Sequence, residues 1–315
     1  MLVDEVLGAL APSADGFYVD ATFGRGGHTA SLLQVLGAQG RVLAFDRDPQ
    51  AVAAARIRFA GELRLEVVHA PFAGLAAQLR ERATGREVRG VLFDLGVSSP
   101  QLDQAERGFS FAKDGPLDMR MDPTRGEPVA AWLARAGVEE IRVVIAELGE
   151  ERFARRVAEA IVASRRETPI TRTAQLAAIV GRTVRTREPG KHPATRTFQA
   201  LRLHINDELG QLRAGLAGAL QLLAPQGRLV VISFHSLEDR IAKHFIREHS
   251  TVNPVFAGLP HIPPDALPTL RAVGRKLRAS AAEVARNPRA RSAILRVAEK
   301  LRDLPELRDA EGRFS

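Results

Sequence analysis

The chain has 315 residues, 45% hydrophobic content and a formal net charge of +8, enough apolar material for one large or two modest domains. It contains no cysteine, which excludes disulfides, thiolate-bound zinc and a thiol nucleophile. No apolar run reaches the roughly 18 residues of a membrane-spanning helix, and the opening residues, with Asp4 and Glu5, lack the basic-then-apolar order of a secretion signal, so the expected location is cytoplasmic.

Phe17 to Thr22 alternates apolar and polar residues and reads as a strand. Gly24, Gly26 and Gly27 then turn the chain, and a helix is predicted from about Thr29 to Leu36, with Ala30, Leu32, Leu33 and Leu36 apolar. Strand, glycine loop and helix form a cradle for a nucleotide-like cofactor. The glycines admit close backbone approach, and the free amides at the helix start donate. A second strand, Arg41 to Phe45, ends in Asp46. That acid lies about 20 residues past the glycines, the spacing at which a carboxylate accepts ribose hydroxyls. In dinucleotide-fingerprint register the third glycine falls at Thr29. The relaxed form suits a smaller ligand with one ribose and no pyrophosphate, S-adenosylmethionine first among them; the competing reading is a plain tight turn.

Asp48-Pro49 opens a helix to about Phe59, with proline suited to the first turn. Leu63 to His69 is a third strand, Leu75 to Arg82 a helix, and Gly90 to Leu95 a nearly continuous apolar fourth strand. This alternation predicts a parallel, doubly wound sheet whose ligand sits at the C-terminal strand ends. Gly24 to His28, Asp46, Phe72 and Asp94 all fall on that edge. Phe72 is open to two readings: a platform for adenine, or a core side chain after a strand.

The fourth strand runs into Asp94-Leu-Gly-Val-Ser-Ser-Pro-Gln-Leu-Asp103. Methyltransferases of exocyclic base amines carry an Asp/Asn/Ser-Pro-Pro-aromatic loop at this place. Acceptors there hold the amine protons and aim the lone pair at a methyl group, so positioning rather than a strong base does the work. Asp94, Ser98, Ser99 and Pro100 are the candidates for that role, and no general base is assigned. The copy has one proline and Gln101 in place of an aromatic, and a structural turn is the competing reading.

Residues 103 to 205 abandon the alternation. Helices are predicted near Val129 to Ala136, Val138 to Leu148, Arg152 to Ser164 and Thr173 to Val184. Between Glu151 and Arg202 stand 12 basic residues against four acids, matching the whole net excess of the chain. A localised basic surface is the footprint of a polyanion, and a solvated arginine-rich face is the alternative. Arg165, Arg166, Arg182, Arg185, Arg187 and Lys191 are the candidates for holding such a polyanion, with His192 and Arg196 beside a helix start. There Thr195 is either a site group or an N-cap, and Arg196 either a phosphate contact or a structural ion pair. Trp132 is expected in a core, with stacking on a base as the alternative. Phe198 to Leu223 reads as one long helix ending before Pro225-Gln-Gly227, followed by a fifth strand, Arg228 to Ile232. His235 lies just beyond that strand, either at the substrate or as a structural residue. Leu237 to His249 is helical, closing strands are predicted at Leu270 to Lys276 and Ala293 to Leu301, and Asn287 to Ser292 is a basic turn whose Arg289 and Arg291 are further polyanion candidates. The tail after Asp303 reads as frayed. The histidines form no ligand set, so no metal is expected.

The chain resembles the bacterial 16S ribosomal RNA cytosine-N4 methyltransferase family, RsmH or MraW. The resemblance rests on Asp20-Ala-Thr-Phe-Gly-Arg-Gly-Gly-His28, Asp46-Arg-Asp-Pro49, Asp94 to Asp103, Arg107-Gly-Phe-Ser-Phe111, Leu117-Asp-Met-Arg-Met-Asp122, His192 to Arg202, Ser233 to Arg240 and Asn287 to Ser292. It implies a class I S-adenosylmethionine-dependent methyltransferase: a Rossmann-like, mostly parallel doubly wound sheet (1–102 and 206–315) with an inserted all-helical domain (103–205) for RNA recognition. It implies cofactor contacts at Gly26, Gly27, His28, Asp46, Phe72, Asp94 and Gln101, joined by Gly24 of the same loop. The implied substrate is a decoding-centre cytosine of the small ribosomal subunit. The family usually carries a His-x-Pro-Val segment before the match at Leu2, to which no role is assigned here. Oligomeric state stays open. So do two other functions, an amine methyltransferase of another nucleic acid and a non-catalytic ribosome-assembly factor.

Overall fold

The computed structural model describes residues 1–82, 85–184, 192–252, 254–256 and 258–303. Two compact units divide the chain: Met1–Gly96 with Leu209–Ser315, and Val97–Glu208. The insertion expected over 103–205 corresponds to a unit that begins at Val97 and takes Ser98 to Gln101 with it.

After helix α1 (Val3–Leu10), strands β1 (Phe17–Asp20), β2 (Arg41–Asp46), β3 (Leu65–His69) and β4 (Val88–Asp94) alternate with helices α2 (Gly27–Val35), α3 (Pro49–Arg58) and α4 (Leu75–Arg82). Local chemistry sets these limits. Asp48 caps α3 by accepting from the Gln50 amide at 2.9 Å, and Pro49 fits the first turn.

The helical unit holds α5 (Ser99–Asp103), α6 (Val129–Arg135), α7 (Val138–Gly149), α8 (Ala154–Glu167), α9 (Thr173–Thr183) and α10 (Thr195–Ile205). Apolar residues at helical spacing, among them Ile141, Ile145, Val157, Ile161, Leu176 and Val180, make a core of its own. Trp132 sits in that core, 2% exposed. Its indole N–H donates to Glu140 at 3.1 Å and its ring lies 4.6 Å from His204.

The chain returns to the first unit through α11 (Glu208–Leu222), β5 (Leu223–Ser233), α12 (Ser236–Ser250), β6 (Leu270–Ala272), β7 (Leu277–Arg278), α13 (Ala281–Arg286) and β8 (Ile294–Lys300). The described strands form one sheet in the order β3-β2-β1-β4-β5-β8-β6, with β7 also on β8. The first five pair in parallel, and β8 is antiparallel to β5, β6 and β7. The period of two sends Phe17, Val19, Phe45, Val91 and Phe93 to a core with α4, α11 and α12, and Tyr18, Val42, Leu92 and Val230 to one with α1 and α2. Both faces are covered, as a doubly wound sheet requires.

Four expectations need correction. The helix predicted from Phe198 to Leu223 is two helices. Asn206 ends α10: its side chain donates to Met119 O at 2.7 Å and accepts from Met121 N at 2.8 Å, and Asp207 then turns left-handed at φ 47°. Strand β5 starts at Leu223 and runs through the expected break, because Leu223 pairs with Val88 and Arg228 with Gly90 while the residues between bulge. The strand expected over Leu270 to Lys276 is interrupted after Ala272 and resumes at Leu277. Thr195 is the first residue of α10 rather than its N-cap, which is Ala194. Helix α13, which no periodicity announces, is capped by Ser280 Oγ accepting from Glu283 N at 3.1 Å. The tail beyond Asp303 lies outside the described residues.

Candidate active site

The loop leaving β1 is braced from below. Asp20, 1% exposed, accepts from Thr22 N at 3.1 Å and from the Thr29 hydroxyl at 2.7 Å, so one carboxylate grips both ends of the glycine turn. Burial pushes its carboxyl up, opposed by the nearby His28 and by these hydrogen bonds. Asp20 is not among the expected site residues; the acid at the end of β1 lies two residues before Thr22 and nine before Thr29, and its role is legible only once these two partners are seen.

Two glycines of the loop differ in why they are glycine. Gly26 has φ +70°, and a Cβ there would lie 2.6 Å from the Phe23 ring and 2.8 Å from Phe59. The fold itself demands glycine at this position. Gly27, exposed at the first position of α2, would carry a Cβ with nothing within 4 Å. Packing within the chain does not require glycine there, and space above the backbone is what it keeps. The amides of Gly27, His28 and Thr29 open α2 with no acceptor in the preceding turn, at the positive end of the helix.

Asp46 joins this loop to β2. Its two oxygens accept from Gly24 N at 2.7 Å and Asp48 N at 2.8 Å. Burial pushes the carboxyl up to about 7; the two amides pull it down, and Asp48 and Asp20 add to the rise. Asp94, at the end of β4, is tied to the loop through its amide, which donates to Thr22 Oγ at 2.6 Å. One carboxylate oxygen lies 3.3 Å from His28 Nε2 without hydrogen-bond alignment. The other oxygen and both ring nitrogens of His28 are buried with no hydrogen-bond partner among the described residues. Buried polar atoms left this way are uncommon and costly, and three in one cluster mark a place for a polar ligand. The structure thus joins Gly24 to His28, Asp46 and Asp94 at one sheet edge. Phe72 follows β3 on that edge, its ring edge-to-face with Phe93 at 5.4 Å.

The remaining candidates have contacts of their own. Ser98, Ser99, Pro100 and Gln101 start α5 in the helical unit, where buried Gln101 folds back to accept from Ser98 N at 2.9 Å. His235 is the N-cap of α12, with Nε2 3.1 Å from Glu238, whose other oxygen accepts from Phe234 N at 2.8 Å. Arg165 donates to Leu133 O, and Arg196 to Glu150 O at 2.5 Å. His192 accepts from Ala194 N at 3.1 Å, its ring 4.6 Å from Phe111. Arg166, Arg182, Arg289 and Arg291 are exposed, while Arg185, Arg187 and Lys191 lie outside the described residues. No helix among the described residues is long and apolar enough to cross a membrane.

The sequence profile of the MraW methylase family matches residues 1–301. Among curated proteins, "Ribosomal RNA small subunit methyltransferase H" of Dechloromonas aromatica is 58% identical over 304 residues, covering 96% of this chain and 97% of that protein. The proteins of the same name from Alteromonas mediterranea and Idiomarina loihiensis are 54% and 52% identical, each alignment covering 96% of both chains.

Proposed function

The chain belongs to the MraW methylase family, and from that premise we propose that it transfers a methyl group from S-adenosylmethionine to N4 of one decoding-centre cytosine in 16S ribosomal RNA of the small ribosomal subunit, in the cytoplasm. The observation that carries this reading is the cluster of unpartnered polar atoms on Asp94 and His28 beside the open backbone of Gly27. A ligand with hydrogen-bonding groups fits such a cradle.

When bound, S-adenosylmethionine supplies an electrophilic methyl on a sulfonium whose leaving group is a neutral thioether. The chain's own residues do the rest by holding and aiming. The first amides of α2, from Gly27 to Thr29, hold a carboxylate at the positive helix end. Asp46 accepts ribose hydroxyls, and Phe72 covers a face of adenine. Asp94 accepts an amine proton of the base, which turns its lone pair toward the methyl. The cytosine leaves its stack to reach this edge, and water takes the proton after transfer. Arg166, Arg182, Arg289 and Arg291 hold phosphates.

Two results check the cradle. In a calorimetric titration, Gly27→Ala binds S-adenosylmethionine at least about tenfold more weakly, while its stability holds or rises by up to about 1 kcal/mol because alanine suits a helix better than glycine. Gly26→Ala instead loses stability by about 1–2 kcal/mol or more from its left-handed backbone alone. Equal cofactor affinity in Gly27→Ala and wild type removes the cradle from this loop.

The second result is a pH profile. Hydroxyls donate to the ionised form of Asp46, so cofactor affinity falls as pH drops through about 7, approaching tenfold per unit for one linked proton. Asp46→Asn flattens the profile. The sign for folding is opposite: a raised carboxyl keeps a proton that the unfolded chain releases. The contribution of Asp46 to stability is full below about 4 and is lost as pH rises to about 7.

A further inference from the structure

Residues 271 to 292 carry seven basic side chains (Arg271, Arg275, Lys276, Arg278, Arg286, Arg289 and Arg291) against one acid, Glu283. The acid is occupied, accepting from Leu2 N at 2.5 Å, and Arg271 pairs with Glu299 at 2.6 Å. Arg275, Lys276, Arg278, Arg286 and Arg291 are exposed and form no ion pair among the described residues. Neighbouring carboxylates are taken as well: Asp239 by Arg296 and Glu299 by Arg228.

Sheet register places this segment. Leu277 pairs with Leu295, Leu295 with Ile232, and Ile232 with Asp94. Three strand spacings separate β7 from the site, about 14 Å, at the same end of the sheet. Between the pairs Ala272–Ala298 and Leu277–Leu295, residues 273–276 stand opposite only 296–297, so Arg275 and Lys276 belong to a bulge on the outer strand. The 151–202 segment, where the charge count is largest, differs. There Arg155, Arg172 and Arg202 are paired with Glu159, Asp114 and Glu208, and Arg165 and Arg196 donate to backbone carbonyls.

We propose that this segment of the methyltransferase unit, centred on Arg275, Lys276 and Arg278 with Arg286 and Arg291 beside them, is the main phosphate-gripping surface for the RNA strand that delivers the base to the sheet edge. The proposal rests on the reading above that the substrate is RNA. Unpaired guanidinium groups match phosphate oxygens in pairs, and binding them releases counterions, which makes affinity salt-dependent. Cations on an outer strand also guard against edge-to-edge association, and the experiment separates that role.

The full-length protein is titrated with small ribosomal subunits lacking the methyl group, over a range of salt concentrations. Arg275→Gln/Lys276→Gln/Arg278→Gln lowers affinity at least about tenfold and reduces the slope of log affinity against log salt by about 2, three contacts at about 0.7 each. Arg275→Lys/Arg278→Lys keeps the wild-type slope, and Arg152→Gln/Arg166→Gln/Arg182→Gln in the helical unit moves it less. Cofactor affinity and thermal midpoint stay at wild-type values in all three. A triple variant that keeps the wild-type slope, including one that only aggregates more readily, overturns the proposal. Methylation by wild type in the same samples keeps the functional reading apart: a wild type that methylates beside a triple variant of unchanged slope sinks the surface alone.

Discussion

Asp94→Ala loses methyl transfer by at least about a hundredfold in kcat and keeps its fold. The two halves of this result come from different atoms. The tie between β4 and the glycine loop runs through the Asp94 amide to Thr22 at 2.6 Å, which alanine retains. The carboxylate has one oxygen buried without a partner and the other near His28 without alignment. Removing a buried, unsatisfied oxygen relieves a desolvation cost instead of breaking a bond. Thermal stability therefore holds or rises, and cofactor affinity falls far less than kcat. Asp94→Asn, which keeps an acceptor oxygen and loses the charge, lies between. Stopped or single-turnover kinetics with a parallel melting curve read both quantities. An alanine variant within tenfold of wild-type kcat removes Asp94 from the transfer step.

Trp132→Ala costs the helical unit about 3–5 kcal/mol. The indole is 2% exposed, donates to Glu140 at 3.1 Å and lies against His204 at 4.6 Å; alanine leaves a cavity, while the exposed Glu140 carboxylate takes water in place of the indole N–H. This core contains no residue of the sheet unit, so the damage stays where it is made. Scanning calorimetry shows the stability loss, the cofactor still binds, and subunit methylation falls to background at the temperature where the helical unit melts. Loss of cofactor binding along with methylation would show that the two units do not hold their folds separately.

The strands carrying the site are legible because each has a local cause. Continuous apolar runs mark β2, β4 and β5, Asp48-Pro49 announces α3, and the acids at strand ends follow from the sheet edge. What escapes is tertiary in origin. Asn206 ends α10 because Met119 and Met121, more than eighty residues earlier, need its amide. Gln101 matches a cofactor position by resemblance, yet its oxygen already caps its own helix through Ser98 N. The basic count over Glu151 to Arg202 finds charge but not its availability, because Arg172 and Arg202 find their acids at Asp114 and Glu208. The freer cations stand near β7, in a stretch whose register with β8 no local pattern reveals. Asp20 braces the loop through Thr22 and Thr29, a role that needs their hydroxyl and amide placed in space.

The most direct measurement incubates the protein with methyl-labelled S-adenosylmethionine and small ribosomal subunits from cells lacking this enzyme, then digests the RNA and identifies the labelled nucleoside by mass spectrometry. The account predicts label in N4-methylated cytidine at one position, and none with Asp94→Ala. Label in a different nucleoside, or equal labelling by the alanine variant, contradicts it.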